Sequence, residues 1–503
     1  MAGLGLHVRL IGLSIAMTCA APLGAWAASW DHAHGDAANS GFLDLATSPA
    51  RTPLAVIGGL GGFAPGVGPI VGPDGTVYLA STDGVLRARH PDGSAYWQRA
   101  ADTAGEAFLA PPVVDSDGSI YAVTTKRYTD HRVTPAVTRR EARLYRFTPG
   151  GGIGWAATLP DHGSIVRGPD LGTVSAPPNI LHQGDATTVL VPVAYRGLSD
   201  TELRLVAFQS GTGTVIGDTL LGIEHDEVFG GDGHPDWFKV VCMLPPWAYC
   251  LLPPIGFQPS AATDSPDLLP PNIGQPMPGV AITGTDIVAT DIFRSVLHLG
   301  FDPATGFVVR SRLDRPGMVA LTAATVLPNG ESVTGETDMH VDDEHGLVVD
   351  GGHLLFTGPL ETQVADSLVP TSMPAHTGDG RIVFAEYGGL FTLDGQTPLA
   401  SVGYPAATIA SPAISRNEIY VSTASSLRSY DPASLALRGA FAWSGGGLSS
   451  PAIGPTGRIY AIASNQLFVW AAPLCVEKPS SPLCHVALPT HLHPLPSLSG
   501  QVR

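Results

Sequence analysis

The sequence predicts an all-β fold, an eight-bladed β-propeller of four-stranded antiparallel blades. The 503 residues include 60 glycines and 45 prolines but only 14% charged residues. That composition suits many turns and short strands better than long helices. A Pro-to-aromatic pattern also recurs along the chain, and within each copy strand-type residues alternate with Gly/Asp turns.

The clearest copy of the repeat covers residues 69–97 and reads PIVGPDGTVYLASTDGVLRARHPDGSAYW. Turns at Asp74-Gly75, Asp83-Gly84 and Asp92-Gly93 separate its strand-type runs, because Gly and Asp tolerate the backbone that tight turns need. The copy therefore holds four short strands, which is the content of one blade. Copies begin near residues 69, 111, 176, 279, 320, 372, 411 and 450, the clearest of them about 40 residues apart. A seven-bladed ring is the alternative.

The last copy lacks one strand, since the pattern dissolves into Pro-rich coil after Trp470. Residues 52–59 (TPLAVIGG) precede the first copy and have strand character. We expect them to supply the outer strand of the last blade, which would close the ring without open sheet edges. The propeller would then occupy residues 28–471, interrupted by a Pro-rich insertion at 222–278 on one face and followed by a Pro-rich tail at 472–503.

The N-terminus has the pattern of an export signal. Residues 1–27 contain an apolar run at 10–21, and Ala25 and Ala27 are the small residues that a signal peptidase reads. We therefore expect an exported protein, periplasmic or extracellular. Lipidation at Cys19 is the less favoured alternative, and no later stretch is long and apolar enough to cross a bilayer.

Four cysteines remain beyond the signal peptide: Cys242, Cys250, Cys475 and Cys484. An even number of cysteines in an exported chain predicts disulfides. Neighbours in sequence are the natural pairs, Cys242 with Cys250 and Cys475 with Cys484. Other pairings stay open.

Two copies of the repeat, LHLGFDPATG at 297–306 and SPAIGPTGRIY at 450–460, resemble the repeat of pyrroloquinoline-quinone (PQQ) dependent dehydrogenases and their non-enzymatic relatives. Residues 30–42 (WDHAHGDAANSGF) are similar to the first segment of these PQQ-like propellers. The resemblance covers roughly residues 30–471. It implies the fold, while the same repeat serves enzymes and scaffolds alike.

The resemblance also implies which residues a quinoprotein alcohol dehydrogenase would need. Members of that kind carry two adjacent cysteines beside PQQ and hold calcium with acidic and amide side chains near the propeller axis. This chain has no adjacent cysteines, and no segment matches the calcium ligands. Cys475 stands nine residues before Cys484-His485, which excludes a Cys-x-x-Cys-His haem attachment. We therefore expect no cofactor and name no catalytic or metal-binding residue; PQQ with calcium is the disfavoured alternative.

Three segments are dense in side chains that could hold a ligand, and for each a structural role is favoured. They are Asp338, His340, Asp342, Asp343, His345 and His353; Asp31, His32, His34 and Asp36; and His225, Asp226, Glu227, Asp232, His234 and Trp237. Carboxylates and imidazoles together suit a divalent cation. The set at 338–353 is also typical of a solvated turn. The set at 31–36 is expected to anchor the ring closure, and the set at 225–237 is expected to be a polar surface loop. Trp97, Trp155 and Trp470 are expected to pack between blades.

The favoured function is a non-enzymatic binding or scaffold protein that presents a propeller face to a protein or small-molecule ligand. The family resemblance offers a precedent, since the outer-membrane assembly lipoprotein of the same fold binds protein partners. An atypical PQQ-dependent oxidoreductase is the alternative, and a polymer-cleaving hydrolase or lyase is a third hypothesis without a motif. The net charge of −17 repels phosphates, so no nucleic acid is expected. We expect a monomer.

Overall fold

The structure is a computed structural model. It describes residues 29–472 except 65, 131–136, 164–168, 175, 197–199, 226–278, 292–294, 316–317, 321, 343–345, 359–361, 368–369, 371, 387, 405, 407, 409, 445 and 447–448. Within these residues the chain is all β, and no helix there is long and apolar enough to span a membrane. The signal peptide at 1–27 and the four cysteines Cys242, Cys250, Cys475 and Cys484 lie outside the described residues. Export and the disulfides therefore stay predictions.

The strands form eight sheets, one for each predicted blade. Two strands, β1 (Phe42–Leu43) and β2 (Ala55–Ile57), precede the first blade. Blade 1 holds β3 (Ile70–Val71), β4 (Val77–Ala80), β5 (Val85–Arg89) and β6 (Ala95–Ala100). Blade 2 holds β7 (Glu106–Phe108), β8 (Val113–Val114), β9 (Ile120–Asp130), β10 (Val137–Phe147) and β11 (Ile153–Thr158). Blade 3 holds β12 (Asn179–Gln183), β13 (Ala186–Arg196), β14 (Asp200–Gln209) and β15 (Val215–His225).

The second half of the ring repeats this plan. Blade 4 holds β16 (Ala281–Thr283), β17 (Asp286–Thr290), β18 (Ser295–Asp302) and β19 (Gly306–Asp314). Blade 5 holds β20 (Met318–Ala320), β21 (Thr325–Val326), β22 (Ser332–Asp342), β23 (Gly346–Thr357) and β24 (Thr362–Ser367). Blade 6 holds β25 (Ala375–His376), β26 (Ile382–Ala385), β27 (Gly389–Asp394) and β28 (Thr397–Gly403). Blade 7 holds β29 (Ala413–Ser415), β30 (Ile419–Thr423), β31 (Ser426–Tyr430) and β32 (Leu437–Ala442), and blade 8 holds β33 (Ala452–Ile453), β34 (Ile459–Ala463) and β35 (Gln466–Trp470).

Each blade is an antiparallel meander whose first strand is innermost, so the prediction of eight four-stranded antiparallel blades is confirmed. In blades 2 and 5 the innermost position is shared by two short strands, because β9 and β22 are long enough to pair with both. β15 runs to His225, so residues 222–225 of the segment assigned to the insertion belong to a blade.

The predicted turns set the strand lengths in blade 1. Gly75, Gly84 and Gly93 have φ angles of 82°, 74° and 86°, a region that glycine enters without strain. Asp74 completes its turn by accepting a hydrogen bond from the Thr76 backbone N–H at 2.9 Å. The turns therefore form for the reason that the sequence suggests.

The ring closes through a strand from the beginning of the chain. β2 pairs antiparallel with β35 as the outer strand of blade 8, with Ile57 opposite Leu467. The indole N–H of Trp470 donates to the carbonyl of Arg51 at 2.9 Å, which ties the approach to β2 to the same blade. The predicted closure by residues 52–59 is confirmed, and it covers the free edge that a three-stranded last blade would expose.

Two tryptophans bind successive blades together. The Trp97 indole N–H donates to the Pro149 carbonyl of blade 2 at 2.8 Å, and the Trp155 indole N–H donates to the Ser210 carbonyl of blade 3 at 2.9 Å. A glycine lies under each ring, since a Cβ on Gly151 would come within 2.7 Å of Trp97 and one on Gly213 within 2.6 Å of Trp155. The tryptophans pack between blades, as expected.

Gly151→Ala should destabilise the propeller, while Gly150→Ala should not. Residue 151 has a φ of 82°, which costs an alanine about 1–2 kcal/mol, and the added methyl would also strike the Trp97 ring. A methyl on Gly150 would meet no atom within 4 Å. Urea unfolding of both variants against the wild type measures the difference. Equal stability of the two variants would contradict the proposed docking of Trp97.

Candidate functional site at the loop face

The two ends of the ring differ in construction. At one end, here the turn face, short turns join the first strand of a blade to the second and the third to the fourth. At the other end, the loop face, lie the hairpins between second and third strands and the connections between blades. Residues 226–278 join β15 to β16 at the loop face. The individual features of the chain therefore collect on that face.

A stretch near the start of the chain, residues 29–45, crosses the turn-face end of the innermost strands; we name it the hub segment. Six innermost strands donate one edge N–H each to its carbonyls. The hydrogen bonds run from Val71 to Trp30 (2.8 Å), Val114 to Asp31 (2.9 Å), Ile282 to Ala37 (2.7 Å), Val326 to Ala38 (2.9 Å), His376 to Ser40 (3.0 Å) and Ile414 to Gly41 (2.7 Å). Blade 3 contributes the Asn179 side chain, which donates to the Ala37 carbonyl at 3.0 Å. Trp30 shares a hydrophobic cluster with Ala452 and Ile453 of blade 8. The hub segment therefore makes hydrogen bonds with seven blades and shares a hydrophobic cluster with the eighth.

The hub segment contains the predicted set Asp31, His32, His34 and Asp36, and the structure gives these side chains local roles. Asp31 and His32 contact each other at 2.5 Å. Burial is the largest influence and raises the pKa of Asp31, but the hydrogen bond and charge of His32, together with hydrogen bonds from Ser29 and the backbone, lower that pKa below its usual value. Asp36 accepts hydrogen bonds from the backbone N–H groups of Ala38 and Ser40 at 3.0 and 3.1 Å, which folds the segment back on itself. The interpretation of this set as an anchor for the ring is supported by these contacts.

His34 lies fully buried at the centre of the hub segment. Its Nε2 lies 3.1 Å from the Pro374 carbonyl, so Nε2 carries the proton and Nδ1 has no hydrogen-bond partner among the described residues. Burial, with a smaller effect from His376, lowers the pKa of His34 to about 4. Gly41 packs against the ring, where a Cβ would come within 2.8 Å of Nε2. The imidazole is thus a neutral packing element.

Three hairpins rise above the rest of the loop face. The second strands of blades 2, 3 and 5 (β9, β13 and β22) have 11 residues each, whereas those of blades 1 and 6 (β4 and β26) have four. At about 3.3 Å per residue, six or seven extra residues add roughly 20 Å of height. The loop face therefore carries tall walls on one part of the ring.

Three buried acids lie on or directly after second strands: Asp291 follows β17 in blade 4, Glu336 lies within β22 in blade 5, and Glu386 follows β26 in blade 6. Asp291 approaches Arg312 at 3.4 Å and packs against blade 3, where a Cβ on Gly222 would meet it. Glu336 approaches Arg315 at 3.3 Å, and burial raises its pKa. Asp291 and Glu336 thus each lie beside an arginine.

The connections that lead into the innermost strands are built from small residues and bond to one another. Ser411 Oγ accepts the Met373 N–H at 3.0 Å, and Ser450 Oγ accepts the Ser411 N–H at 3.0 Å, which links blades 6, 7 and 8 in turn. Next to them, a Cβ on Gly68 would lie 2.4 Å from the Ser450 carbonyl. The loop-face ends of these strands present backbone and small side chains.

A metal site would need acidic or imidazole side chains that lie close together. Among the described residues, no three His, Cys, Asp or Glu side chains come together closely enough to hold a metal ion. Calcium takes six to eight oxygen ligands, which include carboxylates and carbonyls. The described residues therefore offer no cluster of carboxylates to which a calcium ion can be assigned, and no reaction step is routed through PQQ.

The predicted set around residues 338–353 lies on the tall hairpin of blade 5. Asp338, His340 and Asp342 are on β22, and His353 on β23 faces Glu336 across the strands. His340 stands four residues along β22 from Glu336, so His340 and His353 are separated by roughly 13 Å of strand. Asp343 and His345 lie outside the described residues. The hairpin therefore does not bring His340 and His353 together.

The predicted residues of the insertion mostly cannot be placed. His225 ends β15, while Asp226, Glu227, Asp232, His234 and Trp237 lie outside the described residues. Their role as ligands or as a cover for the ring stays a prediction.

The structure assembles one polar cluster that the sequence analysis missed. His162 Nε2 lies 2.7 Å from Asp218 Oδ2, and Arg204 Nε donates to Asp218 Oδ1 at 2.7 Å. The His162 ring packs on the ring of Tyr195, with centroids 4.5 Å apart. These residues belong to a connection and three strands, and no local pattern joins them. Only the strand register of blade 3 could have revealed the cluster.

The sequence matches no family model and no curated protein. Solved structures do resemble it. BamB from Moraxella catarrhalis is 13% identical with a TM-score of 0.50, covering 83% of this chain and 97% of its own. The quinohemoprotein alcohol dehydrogenase from Comamonas testosteroni is 12% identical with a TM-score of 0.52, covering 90% and 82%. The quinohemoprotein alcohol dehydrogenase ADHIIG from Pseudomonas putida HK5 is 11% identical with a TM-score of 0.52, covering 91% and 83%.

The chain shares its propeller fold with these proteins. At such identities the likeness is one of fold, and it includes both dehydrogenases and BamB. The fold expected from the repeat is therefore supported, whereas the choice between enzyme and binding protein depends on the site.

Because His34 is buried as the neutral imidazole, stability should fall in mild acid. As the pH falls below 6.5, His34 becomes protonated in the unfolded chain, whereas in the folded chain it stays neutral until about pH 4. Unfolding free energy is therefore lost as the pH falls through that window, by up to about 3 kcal/mol. Urea unfolding between pH 7.5 and 4.5 measures the slope.

His34→Gln should flatten that slope, since glutamine does not titrate but keeps an N–H donor. The matched control is His90→Gln, because His90 is exposed and forms no ion pair with the described residues. The control should leave the slope unchanged. An identical slope in wild type and His34→Gln would refute the assignment to His34.

Proposed function

We propose that this protein is an exported, non-enzymatic binding protein that docks a partner on the loop face. The observation that carries the proposal is the inequality of the two faces. The hub segment occupies the turn-face end of the ring, and its hydrogen bonds there are internal. The second strands of blades 2, 3 and 5 extend towards the loop face, and the chain leaves β15 and enters β16 on that face. A scaffold with one elaborated face suits the recognition of a large ligand.

The chemistry of the described residues supports binding over catalysis. The acids Asp291 and Glu336 lie near arginines, and the serines Ser411 and Ser450 join blade to blade. We infer that these groups serve the stability of the ring. The likeness to BamB is compatible with a binding role, but at 13% identity it adds no more than the shared fold.

An atypical PQQ-dependent oxidoreductase is the competing function. The structural likeness to two quinohemoprotein alcohol dehydrogenases brings it into consideration. No donor set for calcium is found among the described residues, and the chain has no adjacent cysteines. We therefore place this function second.

Photo-crosslinking should distinguish the two faces. A photoreactive phenylalanine analogue at the exposed loop-face residues Ala104 and Ser425 should yield a discrete adduct in the native compartment. The same analogue at the exposed turn-face residues Asn329 and Thr456 is the matched control and should yield none. Mass spectrometry identifies the adduct. Equal adducts from both faces, or adducts only from the turn face, would contradict loop-face docking.

Titration with PQQ and calcium should produce no binding signal. The expected result is an unchanged melting temperature, unchanged tryptophan fluorescence and no PQQ-dependent dye reduction with simple alcohols. The Comamonas-type quinohemoprotein dehydrogenase serves as a positive control. A saturable rise in melting temperature accompanied by dye reduction would replace the binding function with the oxidoreductase.

A further inference from the structure

A crevice between blades 2 and 3 near the loop face has features of a ligand site that the proposed function does not use. Its floor and walls come from the strand register of blade 3. Tyr195 lies opposite Glu202, which lies opposite Ile223, and Arg204 lies opposite Leu220. Residues directly opposite one another in an antiparallel sheet share a face. This face of blade 3 looks towards blade 2, since Tyr195 packs in the cluster that contains Leu144.

The polar part of the crevice is held by an ordered chain of contacts. Asp218 receives Arg204 Nε on one oxygen and His162 Nε2 on the other, each at 2.7 Å. Arg204 also donates to Glu202 Oε2 at 2.8 Å. The side chains of His162, Asp218 and Glu202 remain 22%, 21% and 32% exposed. These three side chains are therefore held in order and partly open to solvent, whereas the Tyr195 hydroxyl is buried.

The Tyr195 hydroxyl is the group that these contacts leave unexplained. The residue is 1% exposed, and its hydroxyl has no hydrogen-bond partner among the described residues. A buried hydroxyl without a partner is costly, so such groups in folded proteins are normally hydrogen-bonded. The hydroxyl sits in the field of Asp218, Asp170 and Asp161, which together with burial raises the pKa of Tyr195. Its neutral oxygen is thus available to a donor.

The surrounding charges indicate the class of donor. The carboxylates of Asp218, Asp170 and Asp161 act on the Tyr195 hydroxyl, Glu202 lies opposite Tyr195, and Arg204 contacts Asp218 and Glu202. A metal ion is disfavoured, since no metal-holding group of three is found in the described part of the chain. The edges are apolar, with Leu220 and Ile223 exposed by 37% and 39%. A site with carboxylates beside exposed aliphatic side chains suits a ligand that joins a positive charge to an aliphatic chain.

We propose that the crevice lined by Tyr195, Glu202 and Asp218 binds an aliphatic ammonium group. The ammonium donates one N–H to the Tyr195 oxygen and the others to the carboxylates, and its methylene chain lies on Leu220 and Ile223. The His162 imidazole is held by Asp218 and packs on the Tyr195 ring, where it limits the directions from which the ammonium group can reach the tyrosine oxygen. The assignment rests on the chemistry of the crevice and does not require loop-face docking. A free amine and the lysine of a partner protein share this chemistry.

Titration of the full chain with n-butylammonium tests the site. Wild type should bind it saturably, by ligand-detected NMR and calorimetry, and should bind neutral 1-pentanol at least about tenfold more weakly. Tyr195→Phe and Asp218→Asn should each weaken ammonium binding about tenfold or more, since a hydrogen bond to a charged group is lost. Absence of saturable ammonium binding to wild type, or full binding by Tyr195→Phe, would overturn the proposal.

Tyr460→Phe is the matched control, because the Tyr460 hydroxyl donates to the Pro91 carbonyl at 2.9 Å on the turn face. It should lower the melting temperature and leave ammonium binding intact. Tyr195→Phe should show the reverse, with an unchanged or higher melting temperature. If Tyr195→Phe instead loses as much thermal stability as Tyr460→Phe, the hydroxyl already has a structural partner, such as a bound water, and the site is refuted.

The source of the ammonium is decided by a peptide arm. Acetyl-Ala-Lys-Ala-amide and its Nε-acetylated form are titrated beside n-butylammonium. Tighter binding of the lysine peptide than of the amine assigns the site to a protein partner, and equal binding assigns it to free amines. Equal binding of the acetylated peptide, which carries no side-chain charge, would refute ammonium recognition.

Discussion

The rest of this structure depends on one requirement, which is that the edge N–H groups of the innermost strands need hydrogen-bond acceptors. A ring of eight blades leaves eight inner edges facing one another, and buried main-chain donors must find acceptors. Six of these edges in the described residues donate to consecutive parts of the hub segment, from Trp30 to Gly41. The same segment then pairs as β1 with blade 7 and continues to β2, the outer strand of blade 8. One stretch of chain therefore satisfies the inner edges and closes the outer one.

This solution makes the two faces unequal, and function follows from that inequality. The hub segment needs close packing at the turn face, where Gly41 and the buried neutral His34 leave little space for substitution. The hub segment does not pack against the loop-face hairpins, so these hairpins can be longer. The hairpins of blades 2, 3 and 5 are the longer ones, with second strands of 11 residues. The acids and histidines of the hub segment thus serve the ring at the turn face, while the longer hairpins lie at the loop face.

The fold alone does not choose between catalysis and binding. BamB and two quinohemoprotein alcohol dehydrogenases share the architecture at 11–13% identity, a level at which no site residue carries over. What distinguishes the functions is the set of side chains near the axis and on the loop face. In the described residues those side chains either join blades or, around Tyr195, form a crevice away from the axis. The binding proposal and the ammonium site both rest on that distribution.

The sequence by itself predicted eight blades, with seven as the alternative, together with the tight turns and the closing strand. These depend on short-range patterns: glycine at positive φ in Asp-Gly turns, alternating strands, and a missing strand beside Trp470 that residues 52–59 could supply. It did not determine which residues meet. His162 and Asp218 are far apart in the chain. The hub residues Asp31, His32, His34 and Asp36 look like a ligand set in the sequence, and only the structure shows their hydrogen-bond partners. Only the tertiary structure decided these points, because ring closure and strand register bring together residues whose proximity no local periodicity encodes.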